Sequence, residues 1–439
     1  MKHFLTLVLI SLTFMSLGCQ NCSTTSNCCK SSPKPRFGPY ENIDRSRIYG
    51  MGFPALLRTE ARQFTPEQAA QGIELMNDMG VRSWRAWMHT RSLLSDPTTP
   101  RTENVQIMKD LIQLAQKYDI EIIGMNHNWF NGIEDSVDPN AADLDDVSIF
   151  QRDLTEGSNY MNLLAAYQTS WQTIASLFPE ISLWEVGNEW NHDPFLHPID
   201  YKSSGFKSVF TWKEKAAIST DLLYYASKGI HNANPNAKVI LGGPAPVYDT
   251  SSLQIFKGQG KPYEFNITTS GIAAFLTLIY ENIQSGRWPS KNNDDYFQIL
   301  AWHPYSWDRQ PGQWWVEQNN LVYQVAVTYG DEGKPVYFTE WGVTESGDPT
   351  KEEPYADYIV KAYNLIEQQM PYIKSMHYFR LYQDKSAAGD RQTEDWGGAP
   401  EVYYGMFTEP NDGHSPRLKA IKYQQAAQGK GNLHQFQQK

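Results

Sequence analysis

From Arg47 onward, short apolar runs alternate with stretches in which apolar residues recur every three or four positions, the pattern of strands that each feed a helix. The first run covers 48–54. Its helix opens on a legible cap, with Thr65 as N-cap, Pro66 at the first helical position and Gln68 closing a capping box. Ile73 and Met76 face inward along it and Gly80 ends it. The next strand, 81–88, carries Arg85 and precedes a helix over 105–118, with Ile107, Leu111 and Leu114 at helical spacing. The strand at 121–125 delivers Asn126, His127, Asn128 and Trp129 to its end; an acidic loop over 131–146 and a helix over 161–178 follow. The strand at 182–186 and helix at 213–233 lead to the strand at 237–241, which runs into Gly242, Gly243 and Pro244. After an insertion and a helix over 272–285, the strand at 296–301 delivers His303, Pro304 and Tyr305. A helix over 314–329, a strand over 335–339, a helix over 356–370 and a strand over 375–379 complete the series, and a last helix starts at Ser415-Pro416.

Eight strand-helix pairs leave no stretch for a second domain, and eight is the number of parallel strands that closes a barrel. The predicted fold is therefore α/β, a single (β/α)8 TIM barrel over 42–428, with 429–439 as a loose polar tail. An open doubly wound sheet is the rival. It would place a glycine-rich phosphate turn after the first strand, but Gly50-Met51-Gly52-Phe53-Pro54 lacks the third glycine and runs into proline.

Composition narrows the class. The chain has 439 residues, 41% hydrophobic and 20% charged, so it can bury a large core. A formal net charge of -11 without a basic cluster argues against a nucleic-acid partner. Residues 1–18 read as an export signal, Lys2 followed by an apolar run that is too short to span a membrane comfortably. Ser16-Leu17-Gly18-Cys19 resembles the lipobox of bacterial lipoproteins, with Ser16 where Leu is commonest. That resemblance implies cleavage before Cys19, its acylation, and a place at the outer membrane or cell surface. Plain secretion or a periplasmic location is the alternative. The polar stretch 19–41 is then a tether. Cys22, Cys28 and Cys29 also lie in this leader, and the body has no cysteine for a disulfide framework or thiolate metal site.

Two stretches carry the candidate chemistry. Leu183-Trp184-Glu185-Val186-Gly187-Asn188-Glu189-Trp190 and Pro335-Val336-Tyr337-Phe338-Thr339-Glu340-Trp341-Gly342 are both apolar runs that break off in a glutamate followed by an indole. A carboxylate at the carboxyl end of a buried barrel strand is costly unless used or paired, and that end is where barrel enzymes do their chemistry. Two such carboxylates are what glycoside hydrolysis requires.

Trp184-Glu185-Val186-x-Asn188-Glu189, the Phe338-to-Gly342 stretch and His303-x-Tyr305 resemble the strand-four, strand-seven and strand-six patterns of the clan A retaining glycoside hydrolases; Gly80 and Arg85 are similar to its strand-two segment. The wording is nearest to the β-xylosidase/iduronidase branch. Trp190 stands where proline usually follows Asn-Glu, and Gly187 where tryptophan is commoner. The resemblance implies that Glu189 is the general acid and base and Glu340 the nucleophile. It further implies that Asn188 binds a sugar 2-hydroxyl, that Tyr305 and Arg85 donate to Glu340, that His303 lines the same wall, and that His127 or Asn128 reaches the sugar.

A retaining mechanism needs one carboxyl protonated and the other ionised. The expectation is that Glu189, packed between Trp184 and Trp190, has its pKa raised, while Arg85 and Tyr305 hold Glu340 ionised. Glu185 shares the strand parity of Glu189 and reads as a satisfied core carboxylate. Trp129, Trp307, Trp341 and Trp396 fall in predicted loops at the catalytic face and are candidate sugar platforms, although many of the fourteen tryptophans must fill the space between helices and strands. The acidic stretch 135–146 lacks calcium-hand spacing and reads as a solvated loop. With no His-Glu-x-x-His pattern, phosphate loop or serine elbow, neither a metal nor a cofactor is expected. The reading is a retaining hydrolase of β-linked glycosides in oligo- or polysaccharides. The alternative is a non-catalytic glycan-binding surface lipoprotein on the same barrel.

Overall fold

The predicted alternation closes on itself. In a computed structural model, the described residues are 45–53, 64–126, 152–192, 195–196, 199–200, 207–208, 210–247, 267–305, 310–344, 352–383 and 404–430. All lie within one unit covering 38–439. The barrel strands are β1 (Tyr49–Phe53), β2 (Ser83–Trp87), β3 (Glu121–Asn126), β4 (Leu183–Val186), β5 (Lys238–Leu241), β6 (Leu300–Ala301), β7 (Val336–Trp341) and β8 (Ile373–Phe379). Each precedes one main helix: α1 (Pro66–Asp78), α2 (Thr102–Lys117), α3 (Asn159–Leu177), α4 (Trp212–Ala233), α5 (Ile267–Gln284), α6 (Gln313–Thr328), α7 (Glu352–Gln369) and α8 (Leu418–Ala427).

The strands form one eight-stranded parallel sheet in the order β6-β7-β8-β1-β2-β3-β4-β5. Its edges meet through a parallel bridge between Ile240 and Ile299, with the Leu241 N–H donating to the Ile299 carbonyl at 3.0 Å. This contact brings the two edges of the sheet together in a nearly closed β-barrel.

Local chemistry explains the boundaries. The Thr65 capping box forms as the sequence predicts, and Gly80, at φ 82°, takes the left-handed conformation that ends α1. A second box, Thr211 with Glu214, starts α4. The apolar run at 296–301 is strand only at its end. Residues Asn293–Asp295 form a 3-10 turn, and the Tyr296 and Phe297 rings pack on Tyr224 and Tyr280 of the helix layer. Likewise the last helix begins at Leu418 and not at Ser415, because Pro416 bridges Phe407 in an antiparallel pair.

Alternation along the strands divides the side chains between two cores. One packs between strands and helices, and it holds Trp184, edge-on to Trp171 of α3 at 6.0 Å. The other fills the barrel, where Ile123, Leu183, Ile240, Ile299, Ala301 and Tyr337 form an apolar layer. Two residues further along β4, on the same face as Leu183, stands the fully buried Glu185.

Candidate active site

Polar side chains occupy the layer above that apolar one, at the carboxyl ends of the strands. Arg85, the interior residue of β2, is fully buried and its guanidinium is divided among three partners. Nε and Nη2 donate to Glu185 at 2.5 and 3.0 Å, Nη2 also donates to Asn188 Oδ1 at 2.7 Å, and Nη1 donates to Glu340 Oε2 at 2.9 Å. The Tyr305 hydroxyl donates to the other oxygen of Glu340 at 2.8 Å. Arg85 thus ties the interior carboxylate of Glu185 to the strand-end carboxylate of Glu340.

Glu340 reaches this layer through a break in alternation. Tyr337 and Thr339 face the barrel interior, so strict period-two geometry would turn Glu340 outward. Between Phe338 and Trp341 the register against β8 slips by one residue, with Phe338 opposite Met376 and Trp341 opposite Tyr378. Such a bulge re-aims the residues beside it. It turns Glu340 in and sends Trp341 outward, where the indole is fully buried against Trp315 and Tyr378. Trp341 is therefore a packing residue between barrel and helices, and the expectation that it offers a face to sugar is corrected.

Glu189 comes from the turn that follows β4. Gly187 (φ 88°) and Glu189 itself (φ 50°) are both left-handed, a conformation that costs a residue with a side chain and must be held by its surroundings. The Glu189 N–H donates to the Gly243 carbonyl at 3.0 Å, and its own carbonyl accepts from His192 at 2.7 Å. Just beyond, the Asn191 amide clasps the Ala245 backbone with two bonds of 2.8 Å. The two departures from the resembled motif fit one another. A Cβ on Gly187 would stand 2.4 Å from the Trp190 ring, so this tryptophan requires glycine at 187. A Cβ on Gly243 would meet the His303 ring at 2.6 Å, and glycine there lets the β5 end approach the site.

His303 is the direct partner of Glu189, with Nδ1 2.5 Å from Glu189 Oε1 and Nε2 3.2 Å from Thr339 Oγ1. The expectation that Glu189 is packed between Trp184 and Trp190 is corrected accordingly, since Trp184 belongs to the outer core. Burial lowers the His303 pKa to about 4, against the attraction of Glu340, so the ring is neutral near pH 7. If Nε2–H donates to Thr339, Nδ1 is an acceptor for a protonated Glu189; in the other tautomer Nδ1–H donates to an ionised one. One neutral imidazole can serve both states of the acid.

An oxygen of Glu189, one of Glu340 and a His303 nitrogen all lie within 4.8 Å of one another. That proximity belongs with the roughly 5 to 5.5 Å carboxyl separation of retaining glycosidases and not with the roughly 6.5 to 9.5 Å of inverting ones. The three groups could also ligate a metal, but the Arg85 guanidinium already holds Glu340 and would repel a cation. Burial is the main reason the Glu340 pKa is raised; the Glu189 charge adds to it, while His303, Arg85 and Tyr305 oppose it. Arg85 and Tyr305 both donate to this carboxyl and favour its ionised form, as expected, while desolvation sets the direction of the shift. Tyr305, raised well above 10 by burial and by Glu340, remains a neutral donor.

The structure brings together Arg85, Asn188, Glu189, His303, Tyr305 and Glu340. His127, Asn128, Trp129, Trp307, Trp396, Cys19 and the acidic stretch 135–146 lie outside the described residues. Sequence reasoning passed over Tyr404, whose ring stands 5.9 Å from Tyr305 and 5.8 Å from Phe379. No motif marks it, because it comes from a segment far beyond β7. Trp87, half-buried at the end of β2 with the Arg85 guanidinium 5.8 Å from its ring, was legible as an aromatic two residues beyond an interior arginine.

A family model described as cellulase (glycosyl hydrolase family 5) matches residues 49–374. A broad-specificity endoglucanase from Clostridium longisporum is similar in structure, with a TM-score of 0.55 at 12% identity over 89% of this chain and 98% of that one. A β-glycosidase from Pyrococcus horikoshii gives 0.56 at 12% identity, over 88% and 94%. A family 39 glycoside hydrolase from the gut symbiont Bacteroides cellulosilyticus gives 0.50 at 14% identity; the match covers 88% of this chain but spans only 64% of that enzyme's length. At these identities the likeness is one of fold. A search of curated proteins by sequence returns no match.

Proposed function

The chain belongs to the cellulase family, glycosyl hydrolase family 5, within the clan A (β/α)8 glycoside hydrolases, and from that premise we propose that it cleaves β-linked glycosides by double displacement. The observation that carries this reading is the approach of Glu189 and Glu340 to within 4.8 Å at the ends of β4 and β7. Glu340, ionised, attacks the anomeric carbon while Glu189 protonates the departing oxygen, giving a glycosyl ester on Glu340. Esterification removes a negative charge beside Glu189, which lowers its proton affinity and suits it to take a proton from the water that attacks next. Asn188, whose Oδ1 accepts from Arg85, presents its Nδ2 as a donor to the 2-hydroxyl.

The substrates we propose are β-linked oligo- or polysaccharides. The endoglucanase and β-glycosidase among the similar structures put β-glucans and aryl β-glucosides on the test panel, and the motif wording of the β-xylosidase/iduronidase branch adds xylosides. Proton NMR of the first-formed sugar tests the mechanism: a product with the β configuration of the substrate is expected, and inversion would refute it. The non-catalytic reading drew on Gly187 and Trp190, which the structure shows to be a matched packing pair. Micromolar glycan binding without turnover on that panel would restore it.

We further propose residues 1–18 as a cleaved signal, 19–41 as a tether and Cys19 as the lipid-bearing residue that anchors the enzyme to a bacterial outer membrane or cell surface. Among the described residues, no helix is long and apolar enough to cross a membrane. Fatty-acid labelling that disappears in Cys19→Ser is the expected result.

A further inference from the structure

Glu185 is fully buried, yet it holds more of Arg85 than Glu340 does. Its two oxygens take Nε and Nη2 at 2.5 and 3.0 Å, and a planar guanidinium fixed at two corners has its third, Nη1, aimed by geometry at Glu340 Oε2. Glu185 Oε1 also accepts the Gly243 N–H at 3.3 Å. The carbonyl of that same glycine accepts the Glu189 N–H. One interior carboxylate is thus joined to both working glutamates, to Glu340 through a cation and to Glu189 through the backbone of one glycine.

We infer that Glu185 is a positioning residue for the reaction, one that orients Arg85 and limits how much of its positive charge reaches Glu340. The inference rests on the retaining reading of the site. A packing role alone would not call for a charge here, because a buried ion pair is often replaced by apolar residues of similar volume at no cost in stability. The charge count gives the carboxylate its effect. Facing Glu340 are Arg85 from β2, Glu189 from the turn after β4, His303 and Tyr305 from beyond β6, and Tyr404 behind Tyr305. With His303 and the tyrosines neutral, one guanidinium is shared by two carboxylates, Glu185 and Glu340, with Glu189 beside the second. Burial works to lower the Arg85 pKa, and Glu185 ahead of Glu340 works to raise it, so the stronger hold on that cation belongs to the residue that does no chemistry. Sharing the cation leaves Glu340 more readily protonated than a dedicated partner would, and keeps its charge available for bond formation.

The test is a carboxyl carbon-13 titration of the full chain labelled at glutamate Cδ, with the Glu340 signal identified by its loss in Glu340→Gln. Removing the Glu185 charge in Glu185→Gln should lower the Glu340 midpoint by about one pH unit. Glu185→Asp, whose charge is drawn back by one methylene, should lower it by less, and the acidic limb of kcat/KM should move the same way in each. If either folded variant titrates Glu340 at or above the wild-type midpoint, the inference is overturned. A residue that only packs would depress the melting temperature and leave the midpoint in place. Absence of hydrolysis by the wild-type enzyme would instead overturn the functional reading, while the titration would still decide the coupling.

Discussion

Glu340 at the barrel mouth and Asp221 on α4 are both buried carboxylates beside arginine, and burial raises the pKa of each. Their surroundings differ. Asp221 stands alone as an acid among donors: Arg152 Nε at 3.1 Å and the Tyr160 hydroxyl at 2.6 Å on Oδ2, and the Trp288 indole N–H at 3.0 Å on Oδ1, with Arg287 as a further ionic partner. Glu340 shares its cation with Glu185 of β4 and faces Glu189 from the turn after that strand. An acid with a full set of donors ties helices together. Acids that must divide one cation keep a proton that can move, and this division separates a working site from a structural one more sharply than burial or a raised pKa does.

The largest effects should fall on the divided cluster. Glu340→Gln keeps the shape and hydrogen bonds of the side chain but cannot form the glycosyl ester, so kcat should fall about 10,000-fold or more with the melting temperature little changed. Loss of folding instead would place Glu340 with Asp221 as a structural acid. Glu189→Ala should slow substrates with poor leaving groups by roughly 1,000-fold while activated aryl glycosides, which need no proton, lose far less. Azide should restore turnover on the latter and give a β-glycosyl azide. Equal loss on every leaving group would remove Glu189 from the role of acid.

Asp221→Ala should show the converse. It leaves Arg152 without its carboxylate, and with that arginine side chain 24% exposed a cost of about 3 kcal/mol is expected, the low end for a broken buried pair. Activity per folded molecule should be unchanged. The sign of the pH dependence also follows. Burial, against Arg152, Tyr160 and Trp288, raises the Asp221 pKa from 3.8 to about 6, so the folded protein holds a proton that the unfolded chain has released. Its contribution is therefore fullest below about pH 4 and declines as pH rises toward 6. Denaturant titrations across that window should lose this slope in the variant.

The contrast also shows what the chain discloses in one dimension. The barrel and both catalytic candidates were legible because each strand is a short apolar run, and two of them end in glutamate followed by an indole. The sorting within the site was not. Alternation would turn Glu340 outward and Trp341 inward, and only a one-residue slip against β8 reverses them, a feature that depends on the neighbouring strand. The contact between His303 and Glu189 joins residues 114 positions apart across the barrel, and the Arg85–Glu185 pair joins residues 100 apart; no local period encodes either. Trp184 reads as a flank of the acid because it is near it in sequence, yet along β4 it points to the face opposite Glu185 and packs on Trp171.

The smallest effect joins the two regions through the helix they share. Helix α4 carries Asp221 at its middle and, near its start, Lys215, whose Nζ donates to the Asn191 carbonyl at 3.3 Å in the turn that bears Glu189. The Thr211–Glu214 capping box fixes the first turn of that helix. Thr211→Ala should cost about 1 kcal/mol, the usual worth of an N-cap, and lower the melting temperature by about 2 °C. Because the Lys215 N–H keeps the Thr211 backbone carbonyl as its acceptor and Asp221 lies well past the first turn, kcat on both good and poor leaving groups should stay within about two-fold of wild type, a difference of under about 0.5 kcal/mol in barrier. A larger loss confined to poor leaving groups would mean that the helix start also sets the aim of Glu189, and the division between a structural layer and a chemical one would then have to be drawn inside α4.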